Sequence, residues 1–160
     1  MLIGTHALLP VAGCLVVDQV RLRSGSERWF ESSSLIVVAV FGVLTDLCSP
    51  HLSLEDRYGS WTHNLGFLVG AMLASAAAGS FFATGRRTIM ALACWLAIVW
   101  HLAADAVSGG IVWLSPWRDE VLGGPYIPYR WWWWSDLGFV VLTLVLLRLT
   151  RWLESRGEGT

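Results

Sequence analysis

The sequence predicts an all-α, polytopic transmembrane helix bundle of about five spanning or partly re-entrant helices, filling residues 1–160 as a single domain. Three observations predict it. Hydrophobic residues make up 55% of the 160 positions and charged residues only 14%. Mean hydropathy is +0.56, too apolar for an ordinary water-soluble domain. All eleven basic residues are arginines, and they gather at a few places between apolar runs. A spanning helix needs about 20 residues, so five with short loops use up the chain and no second soluble domain fits.

The apolar runs are residues 2–17, 34–47, 65–84, 88–114 and 137–149, the fourth interrupted by glycines. The first contains Pro10 and the second is short, which is why tilted or re-entrant segments belong in the prediction. Because cytoplasmic loops carry excess Lys and Arg, the arginines give an independent topology. Arg21, Arg23 and Arg28 follow the first run, Arg86 and Arg87 lie between the third and fourth, and Arg148, Arg151 and Arg156 follow the fifth. These places share one side if there are five spans with the N-terminus outside. The N-terminal stretch has no basic n-region and reads as part of the mature protein.

Other features exclude classes of function. No basic patch suggests a nucleic-acid partner, and Cys14, Cys48 and Cys94 lack the spacing of a thiolate site or disulfide framework. In the third run, LVGAMLASAAAGS offers small residues for close helix packing in lipid. Trp131, Trp132, Trp133 and Trp134, with Trp113, Trp117, Tyr126 and Tyr129, form an expected interfacial aromatic belt. Asp18, Glu27 and Glu31 read as a solvated loop, and Asp56 with Arg57 as a surface ion pair.

On this topology the polar residues converge. His6 opens the first run, Asp46 ends the second, His51 lies in the following loop, and His63 opens the third. His101 and Asp105 lie late in the fourth, and Asp136 opens the fifth. All fall at the outer ends, although arginines alone set the topology. His101 and Asp105 are four residues apart, so both project from one helical stripe and can reach one ion. An uncompensated Asp at a helix centre costs roughly 2.5–3.5 kcal/mol on insertion scales, and a divalent cation would offset that cost. Imidazoles with carboxylates suit zinc or a related metal, whose bound water ionises near pH 7. The expected ligands are His6, His63, His101, Asp105 and Asp46. Asp46, Asp105 and Asp136 are the candidates for the catalytic carboxylate that serves as base or orienter.

These residues also carry a resemblance. Thr5-His6, GVLTDLC around Asp46, WTHN from Trp61 to Asn64, HLAAD from His101 to Asp105 and SPW from Ser115 to Trp117 follow one another on successive apolar runs. In order and spacing they resemble a bacterial family described as LexA-binding, inner-membrane-associated hydrolases, or membrane-bound metal-dependent hydrolases. Three positions depart from the family's pattern: Thr45 stands for a Pro, Cys48 for a second Asp and Asn64 for a Ser. The resemblance implies a metal-dependent hydrolase in the bacterial cytoplasmic (inner) membrane. With a site at the outer boundary, the expected substrate is a membrane lipid or lipid-linked ester, amide or phosphoester. An ion-binding transporter component and a catalytically inactive scaffold are the alternatives.

Overall fold

A computed structural model describes residues 3–50 and 53–157. Seven helices account for most of them: α1 (Ile3–Arg23), α2 (Ser32–Gly42), α3 (Leu44–Cys48), α4 (Leu54–Tyr58), α5 (Leu65–Ser80), α6 (Arg87–Ser108) and α7 (Trp132–Gly157). There is no strand among the described residues. Between α6 and α7 two isolated bridges, Ser108 with Pro125 and Ile111 with Leu122, fold the connection back on itself.

The helices follow the apolar runs, with instructive differences. Pro10 sits inside α1 without ending it. The second run breaks at Val43 into α2 and the short α3, which turns Asp46 inward. In α7 the helix starts before the apolar stretch and ends beyond it. Two segments, Ile3–Arg23 and Thr84–Ser108, are long and apolar enough to cross a membrane. At 1.5 Å per residue, the 11 residues of α2 span about 17 Å and the 16 of α5 about 24 Å, less than the roughly 30 Å hydrocarbon core.

Two apolar clusters hold the bundle. One joins Leu15 of α1, Val38 of α2 and Met90 and Cys94 of α6; the other joins Leu68 of α5, Ile98 and Leu102 of α6, and Ile111. Outside this core the helices present bare apolar faces: Val69, Met72 and Leu73 on α5, and Val140, Val141, Leu144 and Val145 on α7 are exposed. Continuous surfaces of this kind suit lipid and not water.

The arginine-rich loops meet at one pole. Arg28, after α1, pairs with Glu154 near the end of α7 at 3.0 Å, and Arg86, before α6, pairs with Glu31 ahead of α2. Asp18 belongs to this pole but is not solvated as expected. It is fully buried in α1 and accepts the backbone N–H of Trp29 at 2.7 Å and of Phe30 at 3.2 Å, so it pins the loop that follows.

Candidate metal centre

At the opposite pole, helix ends bring four chemically matched side chains together. Asp46 comes from α3, His63 from the residue before the cap of α5, and His101 and Asp105 from the last turns of α6. Their candidate ligand atoms lie within 4.8 Å of one another. His63 Nε2 is 3.1 Å from Asp105 Oδ2, 3.4 Å from Asp46 Oδ1 and 3.4 Å from His101 Nε2. His101 Nε2 is 3.3 Å from Asp105 Oδ2 and 3.4 Å from Asp46 Oδ1. His63, His101 and Asp105 are buried, and the Asp46 side chain is 18% exposed.

Hydrogen bonding on the far side of each ring sets what faces inward. His101 Nδ1 lies 2.7 Å from the Gly42 carbonyl, which can only accept, so the proton sits on Nδ1. In the neutral ring the Nε2 lone pair then points into the cluster. For His63 the deduction takes one more step. The Thr62 hydroxyl donates to the Thr45 carbonyl at 3.0 Å and lies 3.0 Å from His63 Nδ1, so it accepts from that nitrogen in the tautomer that leaves Nε2 bare toward the cluster. Ser60 Oγ, 3.0 Å from the same nitrogen, completes this support. Two imidazoles and two carboxylates therefore converge on a largely buried centre, where a metal ion, or protons taken up by the rings, relieves the repulsion of the carboxylates. Backbone-anchored Nδ1–H groups are also how metal-binding histidines are oriented.

Size agrees with chemistry. For metal–ligand bonds of about 2.0–2.2 Å, a tetrahedron has edges of about 3.3–3.6 Å. The five measured separations, 3.1 to 3.4 Å, are close to that range. The residues present thus fit a small divalent ion.

Asp105 is held from behind. His6 Nε2 and Arg57 NH1 each lie 3.3 Å from its Oδ1, while Oδ2 faces His63 and His101. The His6 ring stacks on His101 with centroids 3.9 Å apart, and its buried Nδ1 has no hydrogen-bond partner among the described residues. His6 therefore sits beside the group of four and touches the centre through Asp105. Arg57 was expected on the surface with Asp56; it is buried instead, because the short α4 turns it toward the end of α6. Its guanidinium also reaches the Asp105 carbonyl at 3.3 Å. With neutral imidazoles, two carboxylates and one guanidinium leave the site one negative charge, a second reason for it to take a cation.

Asp136 is placed elsewhere. Its carboxylate caps α1, Oδ2 accepting Gly4 N at 3.1 Å and Oδ1 accepting Thr5 N at 2.9 Å and the Thr5 hydroxyl. A helix N-terminus leaves such N–H groups open and favours negative charge. His51 lies outside the described residues. Within WTHN, Thr62 anchors His63, and Asn64 caps α5 by accepting the Phe67 N–H at 2.9 Å, a role that Asn fills as well as Ser.

An arginine-rich pole, lipid-facing apolar sides and a buried His–Asp cluster at the far pole define an integral membrane protein with a candidate metal centre. Comparison with known families makes this specific. The family model described as YdjM inner membrane protein matches residues 1–158, and the chain belongs to that family. It is an inner membrane protein. Neither the curated proteins nor the solved structures contain a match to the chain. The family's description gives its location and names no activity, so hydrolysis and LexA binding remain implications of the resemblance.

Proposed function

We propose that the chain is a metal-dependent hydrolase embedded in the inner membrane, acting on a lipid or lipid-linked ester, amide or phosphoester. One observation carries this reading: five ligand separations of 3.1 to 3.4 Å, built by residues of three separate chain segments around a largely buried centre. His63, His101 and Asp105 would hold the ion, leaving a fourth position for water, with Asp46 beside it. A divalent ion in such a site supplies a polarising charge and a water that ionises near neutral pH.

The chain's own residues do the rest. Gly42 and Thr62 hold the two rings with their lone pairs inward. His6 and Arg57 fix Asp105 so that Oδ2 stays on the centre. Asp46, the member that reaches the surface, is placed to accept a proton from water on the substrate side. Apolar walls exclude bulk water, which strengthens every charge interaction inside.

We place five helical segments across or partly into the bilayer: α1, α2 with α3, α5, α6 and α7. The short ones are shielded by neighbours. Arginine excess puts the paired-loop pole in the cytoplasm and the cluster near the outer face. Metal analysis of purified full-length protein tests the proposal. One ion of the zinc class per wild-type chain, and a near-complete loss in His101→Ala and Asp105→Ala, is expected; equal, negligible metal in all three removes the catalytic-metal reading. Ion flux in proteoliposomes without turnover of any lipid would move the assignment to transport.

A further inference from the structure

A cavity of about 570 Å³ lies along α5, and its wall includes residues of the two segments that carry Asp46 and His63. Leu44 and Cys48 of α3 form one side, and Trp61 and Phe67, edge to face with centroids 5.4 Å apart, form another. Its floor is Gly66, Gly70, Ala71 and Ala74. Gly66, Gly70 and Ala74 recur at four-residue spacing, so they share one face of α5 over about 12 Å of its axis. Large side chains there would close the space.

Its chemistry selects the guest. Asn64 is the one amide on the wall, and its oxygen is already engaged by the Phe67 N–H. The remaining wall offers almost only carbon, so a polar guest would lose its hydrogen bonds to water without replacement. The groove also lies on a helix whose Val69, Met72 and Leu73 face outward, continuous with the surface that an inner membrane protein presents to lipid. Two of its wall residues, Cys48 and Asn64, are two residues from Asp46 and one from His63 along the chain. Asp46 is also the most exposed member of the cluster.

We propose that this groove holds one acyl chain of a membrane lipid and sets the lipid's polar head over Asp46. It deepens the hydrolase reading and rests on it for the lipid's role as substrate: the enzyme would take a molecule with a long hydrocarbon chain and discriminate against a water-soluble head alone. The volume is in the usual range for a small-molecule site, roughly 300–1,000 Å³.

The test uses full-length protein in detergent, a phospholipid with a photoactivatable diazirine in one acyl chain, and peptide mapping of the adducts. Adducts should concentrate on residues 44–48 and 65–74. The Gly70→Phe, Ala74→Phe double variant should lose labelling about tenfold, the effect of leaving about two methylenes unburied, while Leu73→Phe keeps it. If the filled variant does not fold, alkylating exposed Cys48 of the native protein with a bulky maleimide is the substitute, since Cys14 and Cys94 are buried. That adduct should block labelling equally. Adducts spread evenly over Val141 and Val145 of α7, labelling indifferent to both blocks, or Cys48-to-Cys48 cross-linking of two chains in place of lipid labelling overturns the proposal. Metal content of the same samples reports on the ion separately. Groove labelling without metal would retain the lipid site and reject the hydrolase, and metal without groove labelling would do the reverse.

Discussion

Arg57 and Asp105 form a buried ion pair at the back of the cluster. Removing one partner of such a pair leaves the other charge without compensation, at a cost of about 3–5 kcal/mol. Arg57→Gln should therefore destabilise metal-free protein by that order, measured as denaturation in detergent. It should also gain more from added zinc than wild type does, because the site then carries one more negative charge; equal gains would show that Arg57 does not act on the cluster through charge. Asp136→Ala should behave differently. It uncaps α1 at a cost of about 1–2 kcal/mol, lowering Tm by a few degrees, yet leaves metal content unchanged. Loss of the ion in Asp136→Ala would tie this carboxylate to the centre after all. At this scale, spacing made the shared stripe of His101 and Asp105 legible, because four residues is a property of the helix itself. Nothing local distinguishes Arg57, which follows Glu55 and Asp56 and reads as solvated. Its burial comes from the turn of α4 against α6, and that of Asp18 from a loop folding back, both set by contacts distant along the chain.

Gly42 does two jobs at the α1–α2 contact. A Cβ there would press on the His6 carbonyl and on the Pro10 ring, so the two helices approach as they do only because none is present. Its own carbonyl accepts the His101 Nδ1–H. Gly42→Val should cost about 1–3 kcal/mol as overpacking and, by shifting His6 and the His101 anchor together, lower metal occupancy. Retained occupancy with reduced stability would separate the two roles. The order of the helices was legible, since each apolar run gave a helix, although the second broke into α2 and α3. Their lengths were not: hydropathy ends with the apolar residues, whereas α7 runs on through charged positions and α2 stops at Gly42. The aromatic belt is exposed at Trp117, Tyr126, Tyr129, Trp131, Trp133 and Trp134, where a bilayer interface would receive it.

Across the whole molecule, the two poles divide the charged groups by task. The pairs Arg28–Glu154 and Arg86–Glu31 close one end, and the His–Asp cluster occupies the other. A membrane-impermeant maleimide should therefore label Cys48 in intact cells, while a cysteine placed at Arg87 reacts only after permeabilisation. The reverse pattern would invert the orientation while leaving the cluster's geometry intact. Arginine counting grouped these segments at one end, because it depends on loops and not on packing; the labelling pattern decides which face of the membrane that end occupies.

Asp46, His63 and His101 are separated by 17 and 38 residues, yet their reactive atoms meet at one point. An ion there would act as a staple across otherwise independent stretches of chain, and its binding energy would count toward folding. Cells starved of zinc would then hold a looser form of this protein, cut sooner by proteases, so that its abundance would track metal supply even with its gene transcribed at a constant rate.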